Sequence, residues 1–395
     1  MYKRKECQML KTRLEEPRRF LQVLVGPRQV GKTTMVRQLL EGIKIPHVYF
    51  SADAIPATTL GWIGDSWELA RTRMRMEHCS EYLLVIDEIQ KIESWSEAVK
   101  KEWDADTFNG VNIKVLLLGS SRVMLEKGLS ESMSGRFEEV RIGHWRLDEM
   151  QSAFGWSVEE YLYYGGYPGA ASLVGERERW ADYIGASIID ATIHKDVLMG
   201  ASVAKPALLR QAFELGAAYS GKILSYTKMR GALQDAGNTT TLSGYLSLLN
   251  TAGMLAALPK YTVDMARRRA SPPKFQVHDS ALRSRYASRT LEETLSSPED
   301  WGRCVESAVG AHLVNQSFVK SYDVMYWRDG DYEIDFVLKK GERLVAIEVK
   351  SNRETHTGAM SRFRERFNPY GVLLVGPEGI GIREFLLLDP IEFFR

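Results

Sequence analysis

Residues 26–34 read Gly26-Pro27-Arg28-Gln29-Val30-Gly31-Lys32-Thr33-Thr34, the glycines, lysine and hydroxyl of a G-x-x-x-x-G-K-T phosphate loop. They follow the apolar run 20–25 and open into helix-forming sequence, the strand-to-helix setting that such a loop requires. Gly26 and Gly31 let the backbone curl so that successive N–H groups face phosphate oxygens. The start of the following helix adds its positive end. Lys32 is then placed to reach the outer phosphates, and the Thr33 hydroxyl to ligate Mg²⁺. The chemistry implied is binding and cleavage of a nucleoside triphosphate, ATP.

A second acidic element fits the same chemistry. The apolar run 82–86 ends in Asp87-Glu88. Asp87 is the candidate second Mg²⁺ ligand, and Glu88 the group that orients or deprotonates the attacking water. The run 113–118 ends in Gly119-Ser120-Ser121, so Ser120 is a candidate for sensing the outermost phosphate. A plain serine turn is the other reading of that position.

A third constellation lies near the C-terminus. The segment 332–338 alternates, with Tyr332, Ile334, Phe336 and Leu338 on one face. The segment 344–350 alternates too, with Val345, Ile347 and Val349 inward and Glu348 and Lys350 on the other face. A two-residue turn at Lys340-Gly341 would make an antiparallel hairpin in which 335 opposes 346 and 333 opposes 348. Glu333, Asp335, Glu348 and Lys350 then share a face, with Asp335 diagonal to Glu348 and within reach of a shared Mg²⁺. Glu306, beside the apolar stripe of a helix expected over 299–318, can look into that sheet.

The elements that must position these groups divide the chain. Strands expected at 20–25, 46–51, 82–87, 113–118 and 138–142 are short and nearly all apolar, as suits a parallel sheet buried on both faces. With helical sequence between them, residues 1–145 read as an α/β domain. Residues 146–202 read as a small helical lid, interrupted by the Gly165-Gly166-Tyr167-Pro168-Gly169 turn. Over 203–279 come a helix from Pro206, a second with Ser225 as N-cap, and a third after Thr239-Thr240. Two strand-like runs at 254–258 and 274–277 follow, so the segment has a winged-helix plan. Arg267-Arg268-Arg269 falls on the wing, where it could meet DNA phosphates or simply be a solvated loop. Residues 280–395 form the last α/β domain.

Whole-chain properties set bounds. A formal net charge of +1 over 395 residues gives no global attraction to nucleic acid, so any such site is a local patch. Cys7, Cys79 and Cys304 are too scattered for a disulfide framework or a zinc site. No apolar stretch approaches eighteen residues, so no membrane span is expected, and the charged start 1–6 has no signal-like apolar core behind it. A cytoplasmic location is the expectation.

The phosphate loop, Asp87-Glu88, a polar residue after the fourth strand and Arg136 in Ser134-Gly135-Arg136-Phe137 together resemble the AAA+ superfamily of ATPases. More narrowly, the chain resembles a prokaryotic AAA-type family with a restriction-endonuclease-like C-terminal domain of uncharacterised function. That resemblance implies that Arg136 is an arginine finger completing a neighbouring subunit's site, which would require a homo-oligomer; a surface arginine is the alternative. Arg146 is a weak second-sensor candidate. Glu306, Asp335 and Glu348-x-Lys350 resemble the PD-(D/E)XK nucleases. By that resemblance Asp335 and Glu348 ligate Mg²⁺, Glu306 assists, and Lys350 positions the attacking water. Two outputs stand side by side: ATP-controlled DNA cleavage, or an ATP-driven switch whose silent C-terminal domain binds nucleic acid or protein.

Overall fold

Strands β1 (Leu21–Val25), β2 (His47–Ser51), β3 (Tyr82–Asp87), β4 (Ile113–Gly119) and β5 (Phe137–Arg141) pair in parallel, in the order β2-β3-β4-β1-β5. Every residue of β1, β3 and β4 is buried, which is why these runs show no alternation in sequence. Helices α1 (Lys5–Glu15), α2 (Lys32–Leu40), α3 (Gly61–Met76) and α4 (Trp95–Asn109) accompany the sheet. Adjacent β1 and β4 end in register at Val25 and Gly119, and β2 and β3 end together at Ser51 and Asp87. Everything placed just beyond those carboxyl ends therefore converges on one edge, the usual ligand edge of such a sheet.

The computed structural model describes residues 2–59, 61–119, 123, 125, 128–129, 133–233, 237–264, 266, 268, 271–352 and 358–395. Ser120, Arg267 and Arg269 lie outside the described residues.

Two compact units result: Met1–Ile142 with Lys195–Ala201, and Gly143–His194 with Ser202–Arg395. The stretch expected as a lid on the ATPase core divides differently, with 143–194 grouped in the second unit. Local bonds account for this. Gly166 donates its N–H to Asp279 Oδ2 at 2.8 Å, Tyr163 its hydroxyl to the Arg289 carbonyl at 2.5 Å, and Cys304 its thiol to the Leu162 carbonyl at 3.2 Å.

Within the second unit, helices Pro206–Ala218, Tyr226–Ala232 and Thr239–Thr251 precede strands β6 (Leu255–Leu258) and β7 (Lys274–Val277), which pair antiparallel. Ser225 and Asn238 cap the second and third of these helices through their side chains. The three-helix and hairpin order matches the sequence reading. The separation from the C-terminal part does not: Gln276 Nε2 on β7 donates to the Ser307 carbonyl at 2.8 Å. Ser220 and Ser307 hydroxyls meet at 2.8 Å. The helix Pro298–Lys320, which carries Ser307, thus shares its core with the hairpin.

A mixed four-stranded sheet completes the unit: β8 (Asp323–Asp329), β9 (Tyr332–Lys340), β10 (Arg343–Val349) and β11 (Gly371–Val375), in the order β11-β10-β9-β8. The hairpin register differs from expectation. Lys340 opposes Arg343 and Val337 opposes Ala346, so the turn is Gly341-Glu342, one residue later than expected. Gly341 stands at φ 57°, a left-handed conformation that glycine supplies without strain. The pairing moves by two residues, which preserves the face and changes the partners. Strict alternation along β9 also fails. A register shift against β8, between Met325 and Trp327, brings Ile334 into the core cluster that holds Val337, Ala346 and Phe363.

Candidate functional site

The phosphate loop links β1 to α2. Gly31 caps α2 at φ 86°, and Gln29 is also left-handed at φ 64°. Val30 is buried and anchors the loop, whereas Thr34 faces outward. Lys32 is buried and donates from Nζ to the carbonyls of Gly26 and Pro27 at 2.9 and 2.7 Å. Burial pushes its ammonium down to about 8, partly offset by the charge of Glu88. A bound polyphosphate would supply the counter-charge that this buried cation lacks.

Asp87 ends β3 and is buried. Its Oδ2 accepts the Thr33 hydroxyl at 2.9 Å and the Tyr49 hydroxyl at 2.6 Å; its Oδ1 accepts the Glu88 N–H at 2.8 Å. Glu88 follows in a left-handed conformation, φ 54° and ψ 34°, costly for a residue with a Cβ and found most often where function demands it. Gln90 Nε2 donates to Glu88 Oε2 at 2.5 Å and so fixes that carboxylate. Thr33, Asp87 and Glu88 are therefore gathered at the end of the loop as the sequence implied. Tyr49 and Gln90 were not singled out in sequence: a tyrosine inside a strand and a glutamine after Asp-Glu carry no local signal of their contacts.

Arg28, a variable position of the loop, makes a two-pronged ion pair with Asp196. Its Nε lies 3.0 Å from Oδ2 and its Nη2 2.6 Å from Oδ1. Arg136 makes a comparable pair with Asp104, at 2.8 and 2.9 Å, on a more exposed surface. Arg146 is engaged inside the second unit, with the Leu387 carbonyl at 2.8 Å and Asp148 at 3.2 Å.

The C-terminal carboxylates do converge, around a cation that sequence reasoning missed. Lys274 of β7 is fully buried, and its Nζ lies 2.6 Å from Glu306 Oε1, 3.2 Å from Asp335 Oδ1 and 3.4 Å from Glu333 Oε1. It also sits 5.1 Å from the Phe336 ring centre. Burial alone would lower an ammonium pKa; Asp335, Glu306 and Glu333 outweigh it and raise that of Lys274. Asp335 Oδ2 accepts the Val349 N–H at 2.9 Å, on the strand backbone beside Glu348. Lys350 Nζ lies 3.1 Å from Glu348 Oε1, while Glu348 Oε2 is buried with no hydrogen-bond partner. Burial first, then the charge of Asp335, pushes the Glu348 carboxyl up.

The two expected Mg²⁺ ligands, Asp335 and Glu348, stand on the paired strands β9 and β10, and Asp335 also faces Lys274. An ammonium occupies the focus of Glu306, Glu333 and Asp335, and among the described residues no group of three His, Cys, Asp or Glu side chains is disposed to hold a metal ion.

Residues 18–151 match the family model of an AAA domain, and the chain contains an ATP-binding AAA-type P-loop ATPase domain. Residues 155–293 and 301–380 match two domains of unknown function (DUF8612 and DUF4143). An uncharacterized protein of Mycobacterium tuberculosis is 25% identical over 343 residues, 86% of this chain and 71% of its own length. One of Methanocaldococcus jannaschii is 20% identical over 349 residues, 83% of this chain and 74% of its own length. Among solved structures, Aeropyrum pernix Orc1 in complex with DNA aligns with a TM-score of 0.30 at 14% identity, covering 75% of this chain and 93% of that one. A Thermotoga maritima RuvB variant aligns with a TM-score of 0.31 at 16% identity, covering 64% and 86%. Both likenesses are too weak to bear on function. No helix among the described residues is long and apolar enough to cross a membrane.

Proposed function

We propose that this protein is an ATP-driven switch whose C-terminal domain binds its target without cutting it. The observation behind this reading is Lys274 at the focus of Glu306, Glu333 and Asp335. A built-in ammonium offsets part of the charge of these carboxylates where a nuclease would need a divalent ion with an open coordination position.

At the other site, Thr33 and Asp87 would hold Mg²⁺, since their oxygens already lie together at 2.9 Å. The ion, when bound, neutralises charge on the phosphates. Lys32 binds the phosphates, and the loop amides from Gly26 to Thr33 orient them. Glu88, held by Gln90, takes the proton of the attacking water. Arg136 completes the site of a neighbouring copy. Its guanidinium is held ready at the surface by Asp104 and is 31% exposed. Mixing Lys32→Ala with Arg136→Ala subunits should restore hydrolysis; no recovery rules out a shared site.

DNA is the first target to test, because the three helices and hairpin over 206–277 follow a winged-helix order and the sequence sets Arg267-Arg268-Arg269 between the two strands. The deciding experiment incubates the protein with linear, branched and single-stranded DNA in Mg²⁺ or Mn²⁺, following both strand breaks and salt-dependent binding. The expected result is binding that weakens as salt rises, with no cleavage. Cleavage above a Glu348→Ala control would overturn the reading of a silent domain. An ATPase rate insensitive to DNA, with no DNA bound, would point to a protein target.

A further inference from the structure

The phosphate loop is tied to a segment far outside the matched ATPase domain. Asp196 lies 168 residues from Arg28, within the stretch 155–293 that matches a domain of unknown function. The segment Lys195–Ala201 nevertheless belongs to the first compact unit, while the residues on either side of it belong to the second. Asp196 is 3% exposed and Arg28 18%. This is a built contact with both prongs of the guanidinium engaged, not a surface pair.

The backbone around Asp196 is unusual as well. The helix that starts at Arg177 passes into wide π-helical turns over Ile184–Asp190 and again over Ile193–Leu198. Such turns are rare, less favourable than α-helix, and concentrated at functional positions. Glu88 and Lys32 lie near enough to Asp196 to act on its charge, which places the carboxylate beside the groups that serve the nucleotide.

We propose that Asp196 is a positioning residue of the nucleotide site: it holds Arg28 when the loop is empty, and the phosphates of a bound nucleotide take Arg28 from it and free the segment Lys195–Ala201. A guanidinium fork fits a phosphate as well as it fits a carboxylate, and a phosphate bears more charge. The two anions compete for one cation. Once Arg28 turns to phosphate, the buried Asp196 loses its two-pronged ion pair, and the segment that bears it has reason to leave. Residues 195–201 continue into the second unit at both ends, so the occupancy of the loop is passed on along a covalent path.

This inference rests on nucleotide binding at the phosphate loop and adds how that binding is sensed. The test is hydrogen–deuterium exchange of the full chain, with and without a non-hydrolysable ATP analogue, beside calorimetric titration of the same analogue. Exchange over 195–201 should rise when the analogue binds. In Asp196→Asn, exchange there should already be high without nucleotide and should not respond, while affinity for the analogue rises about tenfold because Arg28 is no longer held by a carboxylate. If the wild type binds no analogue, the nucleotide reading itself fails. If the wild type binds the analogue with unchanged exchange over 195–201, the sensing role alone is overturned, whatever the variant does. A folded Asp196→Asn that matches the wild type in affinity and exchange response also overturns it.

Discussion

Lys274 Nζ lies 2.6 Å from Glu306 Oε1, and none of the lysine side chain reaches solvent. Asp335 and Glu333 close the shell at 3.2 and 3.4 Å. Three acids around one internal cation leave a net negative cluster. Burial, then the Asp335 charge, pushes Glu306 upward despite the neighbouring ammonium.

Removing that cation should be costly. Lys274→Met keeps the length and apolar stem but leaves Glu306, Glu333 and Asp335 facing one another. A loss of about 3–5 kcal/mol is expected, as for a buried ion pair stripped of one partner. Urea unfolding of wild type and variant measures it; a midpoint within error of wild type would show that the cluster does not depend on the lysine.

Hydrolysis should separate from binding at the first site. Lys32→Ala removes the cation that meets the phosphates, and both binding and turnover should be lost. Glu88→Gln keeps the hydrogen-bonding shape beside Gln90 but cannot accept the water's proton. Its turnover should fall by about 10²–10⁴ while nucleotide binding persists. Steady-state ATPase assays together with a binding titration check both.

Stability should fall as pH rises toward neutrality, in part through Asp279. Burial pushes this carboxyl up to about 7, against the pull of the Ala281 and Gly166 N–H groups that it accepts. His144 Nδ1 faces it at 3.6 Å, and the Tyr161 and Tyr167 hydroxyls feel its charge. The folded protein holds this proton at pH values where the unfolded chain, with an ordinary aspartate near 4, has released it. The contribution is therefore fully present below about pH 4 and is lost as pH rises through about 7, with a slope approaching about 1.4 kcal/mol per pH unit. Asp279→Asn should flatten that part of a denaturation profile measured between pH 4 and 8.

The Gly165-Gly166 turn should not tolerate a side chain. A Cβ on Gly166 would stand 2.2 Å from the Trp145 carbonyl oxygen, backbone that cannot swing aside. Gly166→Ala should cost about 1–3 kcal/mol, within the range of overpacked sites, and lower the thermal midpoint. An unchanged midpoint would mean that the turn can move.

The two sites differ in how far they could be read from the chain alone. The phosphate loop was legible because its glycines, lysine and hydroxyl are contiguous and its shape is set by local backbone conformation, as at Gly31 and Gln29. Strands β1, β3 and β4 of the first sheet were legible because burial on both faces leaves apolar runs. On β9 and β10 the acids were found, but their register was not. One residue in the position of a turn changes which side chains face each other, and nothing in the alternation reveals it. A lysine at the head of the run 274–277 gave no sign that it is the buried cation of the carboxylate cluster.

By itself, then, the sequence determined the nucleotide chemistry, the α/β character of residues 1–145 and the presence of a C-terminal carboxylate set. Tertiary structure alone decided what those acids enclose. Lys274 reaches Asp335 across 61 positions, and Asp196 reaches Arg28 across 168. Contacts between such distant charges depend on how separate elements pack, and packing is a property of the whole folded chain that local propensity does not encode.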